Sequence, residues 1–340
     1  MPRRRPRPNP VVAMLDAESI RIRGQAGPLS ARLGFTLIEI LVALLIIGVL
    51  VAFVIPAVLS ARRAAARAQC LSNLKQVGIA LESYNGLHHR FAPALRYPNG
   101  AVLTQLSPFP ALLPGLEQQA LFDAVNFAFL EGDSPESPTI ENRTVRGVRL
   151  GVLLCPADGV AERGSNYRFN RGVFNNKAGP PVYDGPFGLG VVPTAAAVSD
   201  GLSRTAFVSE RISGDFSTNA PAGGRNVKRP LNDLGANTSD EDYARLCLQS
   251  RPDAWIWRSG RYWFYSGDLN TLYSHFGSPN DARPSCGWDG LREWVCIGLN
   301  PPRSFHGGVG VLFGDGHVET VADGVDGKVW RALGTHAAKD

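Results

Sequence analysis

Three side chains near the C-terminus, His306, Asp315 and His317, are of types that ligate metals or move protons. A working site needs at least three convergent donors, and the local pattern does not supply them. His317 follows a Gly314-Asp315-Gly316 turn, a position where an aspartate ordinarily caps backbone amides. His306 precedes a glycine pair and is expected to hold the following hairpin by a side-chain hydrogen bond. Asp158-Gly159, Asp200-Gly201, Asp323-Gly324 and Asp326-Gly327 read as turns in the same way, and the acidic spacing of an EF-hand is absent. There is no GxSxG elbow, no HExxH and no phosphate loop. The reading therefore assigns no catalytic residue, no metal and no cofactor. The cysteines Cys70, Cys155, Cys247, Cys286 and Cys296 form no CxxC pair and no Cys/His cluster at zinc-ligand spacing, so zinc is not expected. In an exported domain they would allow up to two disulfides with one thiol left over. Cys286 and Cys296 are close enough in sequence to be one pair. A dense block of Trp255, Trp257, Tyr262, Trp263, Phe264, Tyr265 and Tyr273 would stack on a sugar or dock an envelope protein if exposed. The favoured expectation is that alternate members, Trp255, Trp257 and Trp263, are buried in strands.

The remaining chemically loaded residue is Glu39. It stands, with Thr36, as the sole polar interruption of FTLIEILVALLIIGVLVAFVIPAVL, residues 35 to 59. That run meets the ~20 apolar residues a bilayer-crossing helix requires. A carboxylate in such a helix costs on the order of 3 kcal/mol, so its presence points to a function. The apolar core is too long for a secretory signal peptide, and no small-x-small cleavage site follows it. Instead ARRAAARAQCLSNLKQVGIALESYN continues the helical pattern. Leu71, Leu74, Val77, Gly78, Leu81 and Tyr84 recur at three- and four-residue steps and form one apolar stripe suited to packing on a domain. A helix from about residue 35 to 84 would reach roughly 75 Å. Pro56 cannot donate a backbone hydrogen bond, so a kink or melted turn is expected there.

The formal charge is +5, but seven arginines lie before residue 35, partly offset by Asp16 and Glu18. Without that segment the chain is close to neutral, which removes the support for a nucleic-acid partner.

Arg32-Leu33-Gly34-Phe35-Thr36-Leu37-Ile38-Glu39 resembles the class III signal of type IV prepilins and type II secretion pseudopilins. The resemblance implies cleavage by a prepilin peptidase between Gly34 and Phe35, methylation of Phe35, and Glu39 as the fifth mature residue. There Glu39 would neutralise the N-terminal amine of a neighbouring pilin-like subunit. Pro56 falls where many pilins carry a helix-loosening proline. Further segments, AQCLSNLKQVGIALESYN, ALLPGLEQQALFDAVN, LLCPADG, SNYRFNRG, VSDGLSRTAFVSER and FHGGVGVLFGDGHVETV, resemble a large bacterial family of prepilin-type proteins. Its uncharacterised C-terminal domain ends in a histidine-to-Asp-Gly motif, here His306 to Asp315-Gly316. Eight residues separate His306 from Asp315, one fewer than the family usually has, so a shortened turn into the hairpin is expected. Cys70 and Cys155 both fall in matching segments, which suggests a bridge from helix to head worth up to ~4 kcal/mol.

The expected fold class is α+β: a pilin-like long N-terminal transmembrane helix packed on a β-rich head. The expected parts are a leader at 1–34, the helix at 35–85 and the head at 86–340, with 211–302 a variable insertion. Within the head, 148–154 and 205–209 read as buried strands. Leu116, Ala120, Leu121 and Val125 mark the apolar face of a short helix, and 309–313 with 317–321 a hairpin. Residues 326–333 read as a last helix. The chain is expected in a bacterial cytoplasmic membrane, single-pass, with its N-terminus cytoplasmic before processing and the head periplasmic or extracellular. The alternative function is a non-polymerising anchor whose head binds a glycan or an envelope protein.

Overall fold

The computed structural model describes residues 34–99, 102–127, 141–159, 164–173, 184–188, 191–216, 225–230, 240–249, 252–256, 258–288 and 297–337. Residues 1–33 of the leader lie outside them, as does the Cys286–Cys296 pairing, because Cys296 does. The chain divides into two compact units at Ala57/Val58.

Helix α1 is Leu37–His88, a continuous run of 52 residues. In the first unit every large apolar side chain of this helix is exposed, from Leu37 and Ile38 to Val54 and Ile55. It is long and apolar enough to cross a membrane, the one such helix among the described residues. The helix runs through Pro56 without a break, so the expected melted turn is absent. A proline removes a single donor, and the Ala/Arg-rich run after it, made of strong helix formers, carries the ladder on beyond it.

The second unit carries the head. After α1 come β1 (Leu95–Asn99), β2 (Val102–Leu106), α2 (Phe109–Leu112), α3 (Gln119–Asp123), α4 (Arg143–Arg146), β3 (Tyr167–Asn170), β4 (Ala206–Glu210) and β5 (Val227–Pro230). They are followed by α5 (Asp240–Gln249), β6 (Pro252–Ile256), β7 (Leu272–Tyr273), β8 (Ser285–Trp288), β9 (Ile297–Leu299), β10 (Val309–Phe313), β11 (Val318–Val321) and α6 (Gly327–Ala332). The main sheet has the order β11-β10-β4-β3-β7, antiparallel except for the β3–β7 pair. A second sheet runs β6-β5-β8-β9, and β1–β2 form a separate hairpin.

Strand β10 shows how the main sheet is covered on both faces. Val309, Val311 and Phe313 join Ala206, Tyr273 and Trp330 of α6 in one cluster, while Leu312 joins the core containing Leu74, Val77 and Leu81 of α1. The two-residue period of the strand sends alternate side chains to opposite layers, so all five residues are buried. The predicted stripe of α1 is thus the packing face: Leu74, Val77, Gly78 and Leu81 are buried, Leu71 and Tyr84 partly so. Polar ties lock the same face, Asn73 Nδ2 donating to the Leu154 carbonyl at 2.9 Å and Lys75 Nζ to the Gly316 carbonyl at 2.6 Å.

Several expectations are corrected. Residues 148–154 form no strand; a 3-10 turn covers Gly151–Leu153, and Leu150, Leu153 and Leu154 are buried from it. A run this short buries its leucines equally well from a tight turn, which periodicity cannot distinguish. The helix after Pro114 is limited to Gln119–Asp123, with Leu116 in a preceding 3-10 turn and Ala120 exposed. Residues within 211–302 supply β7 and the fully buried Trp263 and Tyr265 to the core. Of the aromatic block, Trp263, Phe264, Tyr265 and Tyr273 are buried, Tyr262 and Trp255 partly so, and Trp257 lies outside the described residues. Trp263 sits in irregular backbone rather than a strand, its indole donating to the Val148 carbonyl at 2.9 Å.

Candidate functional site

The N-terminal junction is built by local chemistry. Gly34, Phe35 and Thr36 are non-helical and exposed, and the helix begins at Leu37. Thr36 Oγ1 accepts from the Glu39 amide at 3.3 Å, while a Glu39 carboxylate oxygen accepts from the Thr36 amide at 2.8 Å and its hydroxyl at 2.9 Å. This reciprocal pair is a capping box, which satisfies amides that the helix start would otherwise leave open. Within a single chain Glu39 therefore has an intramolecular role that sequence reasoning missed, although the Thr-x-x-Glu spacing was its signal. The carboxylate also lies within one turn of the Phe35 position, where cleavage would create a positive amine.

The C-terminal motif separates into two places. Asp315 Oδ1 accepts from the His317 amide at 3.1 Å and meets His317 Nδ1 at 2.5 Å, and the imidazole stacks on Phe313. Its bonds with His317 hold the Asp315 carboxyl below the usual carboxylate range, against the opposing effect of partial burial. Gly316 takes φ 82°, the left-handed conformation that closes the turn and that a side chain would strain. Asp315 and Gly316 are thus turn residues.

His306 is elsewhere, and it does not hold the hairpin. Its Nε2 lies 3.8 Å from Cys155 Sγ, and its amide bonds to Ser304 Oγ. Cys70 of α1 and Cys155 are joined by a disulfide across 85 residues, with Cα atoms 4.9 Å apart. Beside it stands Glu210, the last residue of β4 and 3% exposed. One ligand atom from each of Cys70, Cys155, Glu210 and His306 lies within 4.8 Å of every other. Glu210 Oε2 accepts from the Gly310 amide at 2.9 Å, and Oε1 is buried with no hydrogen-bond partner among the described residues. Tyr167 completes the wall, its hydroxyl donating to the Cys70 carbonyl at 2.9 Å. Burial, and secondarily the Glu210 charge, push that phenol far up, so it stays a neutral donor. Glu210 carried no sequence signal beyond a charge at the end of an otherwise apolar strand. Cys286 is also disulfide-bonded.

The other buried charges form a structural network. Asp158 accepts from Arg225, Asn166 and the Ser213 amide, and Arg171 pairs with Asp268. Burial depresses Arg168 to about 9, against the raising effect of Asp268, and its guanidinium donates to the Asp268 carbonyl and Ser259.

A single membrane-crossing helix, a capped junction of prepilin type and a β-rich head define a membrane-anchored pilin-like protein processed at its N-terminus. Two family comparisons agree with this geometry. Residues 29–55 match the prokaryotic N-terminal methylation motif. Residues 59–328 match the family described as protein of unknown function DUF1559, and because that match spans most of the sequence the chain belongs to this family. No functionally curated protein and no solved structure is significantly similar to it.

Proposed function

We propose that the chain is a structural or interaction subunit, and not an enzyme, whose apolar helix assembles with other prepilin-type helices of a type IV pilus or type II secretion-like assembly. The head then stands on the periplasmic or extracellular side of a bacterial cytoplasmic membrane. The observation that carries this reading is the junction: Phe35 lies two residues before a helix with an exposed apolar surface, and Glu39 lies in its first turn. In lipid, a carboxylate and an amine gain most by meeting each other, either within one chain or across a lateral contact. The test has two arms. Intact-mass analysis of protein from cells is expected to show a chain starting at methylated Phe35. In the second arm, Glu39→Ala is expected to leave the chain in the membrane but deplete it from any pelletable filament or cross-linked oligomer. An unprocessed N-terminus sinks the processing step, and an unchanged oligomer sinks the assembly step.

The rival, an anchored head that binds a glycan or envelope protein, loses the aromatic platform, because most of that block is buried. One observation still favours it. A cavity of about 350 Å³ in the head is lined by Tyr84, Leu87, His88, Phe122, Phe127 and Val192, of which Leu87, Phe127 and Val192 are exposed. Retention of all oligomers by Glu39→Ala, together with loss of a pulled-down partner by Phe127→Ser, would favour this rival.

A further inference from the structure

The disulfide-linked cysteines, Glu210 and His306 make a donor set that a structural bridge does not require. A disulfide has no donor for a carboxylate, yet Glu210 is 3% exposed beside one, with Oε1 unpartnered among the described residues. A buried carboxylate oxygen in that state costs free energy that some interaction must offset. Gly310 keeps the carboxylate in place: a Cβ there would lie 3.2 Å from Glu210 Cδ and 2.8 Å from a methyl of Leu71. Two sulfurs, one nitrogen and one carboxylate oxygen within 4.8 Å of one another match the donor types and number of tetrahedral zinc. In such a site neighbouring donors stand about 3.3–3.8 Å apart, so a modest contraction of the cluster with separation of the two sulfurs meets the geometry.

We propose that Cys70, Cys155, Glu210 and His306 are a zinc site when the bridge is reduced, so that the head has two mutually exclusive forms, disulfide and zinc-thiolate. A dithiol reductant delivers two electrons and two protons to the bridge, giving two thiols, and leaves as its own disulfide. Zn²⁺ then releases both thiol protons to solvent and binds two thiolates, the Glu210 carboxylate and a neutral imidazole nitrogen of His306. The complex carries one net negative charge, and Arg62, Arg63 and Arg67 line the groove that also contains His306. Cys155 faces a second groove with Gln69 and Asp158, which opens a solvent path to the sulfur. Both forms tie α1 to the β4–β10 layer, so the helix stays fastened to the head whichever form is present.

The test uses the full mature chain in detergent, with Zn²⁺ or Co²⁺ alone as the probe. The reduced chain is expected to bind one zinc per chain, the oxidised chain none, and bound Co²⁺ to show thiolate charge-transfer absorption. His306→Ala and Glu210→Gln are expected to weaken zinc at least about tenfold. His306 is only partly buried, so His306→Ala is expected to keep the disulfide and the oxidised chain's melting temperature. Equal zinc binding by reduced and oxidised chains overturns the proposal, as does wild-type affinity in the reduced His306→Ala chain. Should reduction alone unfold the head by circular dichroism, zinc must restore the fold, and failure to do so also overturns it.

Discussion

His275 should make the head acid-sensitive by an amount that can be calculated. It is 0% exposed, stacked on Trp330 with ring centroids 3.9 Å apart. Nδ1 meets the Trp330 carbonyl at 2.8 Å and Nε2 meets the Tyr273 hydroxyl at 2.9 Å. A neutral imidazole satisfies both, donating at Nδ1 and accepting at Nε2, whereas a protonated ring would have to donate at both. Burial lowers the pKa of His275 from 6.5 to about 3, the Trp330 carbonyl opposing this in part. The unfolded chain takes up a proton near pH 6.5 and the folded chain does not, so stability is intact above 6.5 and falls as pH drops toward 3. The loss reaches about 2 kcal/mol at pH 5 and about 5 kcal/mol below pH 3. Asp184 acts with the opposite sign: burial raises it to about 6, so its protonation stabilises the folded chain as pH falls from there toward 3.8. At pH 5 the Asp184 gain, about 1.4 kcal/mol, offsets about two-thirds of the His275 loss, so a bare pH profile would mask much of both. The informative measurement is therefore a difference. Urea unfolding of wild type and His275→Gln at pH 7.5 and pH 5 should show wild type losing about 2 kcal/mol more than the variant, since Asp184 cancels. Parallel pH profiles would refute the burial of a neutral His275 under α6.

Two substitutions test the packing directly. A Cβ at Gly115 would lie 2.8 Å from the Ala80 Cα, and backbone of α1 cannot yield as a side-chain tip can. Gly115→Ala is expected to lower the unfolding free energy by about 1–3 kcal/mol, while Gly147→Ala, whose nearest contact is 3.4 Å, stays within about 0.5 kcal/mol in the same denaturation assay. Asp326 caps α6, its carboxylate accepting from the Lys328 and Val329 amides at 2.8 and 3.2 Å. Asp326→Ala should cost about 1 kcal/mol and Asp326→Asn much less, read as a shift in the unfolding transition followed by circular dichroism.

What the sequence determined by itself is whatever depends on neighbours within a few residues. The membrane segment needs only a long apolar run, because lipid supplies the same environment on every side. The stripe of α1 and the Gly314-Asp315-Gly316 turn were legible for the same reason, since each is a pattern within a few residues; the cap that Asp326 places on α6, read from the sequence only as a turn, emerged with the helix. Tertiary structure decided the rest. Glu210 and His306 lie 55 and 151 residues beyond Cys155, and nothing local to either indicates the other. They meet because β10 pairs with β4, while the bridge holds α1 over the same edge. The zinc spacing rules search for ligands close in sequence, and a four-segment cluster is invisible to them. The fate of the aromatic block was likewise set by the parallel β3–β7 pairing, which draws residues 263–273 inward. Composition makes an aromatic residue worth burying, but only the strand partners determine which layer receives it.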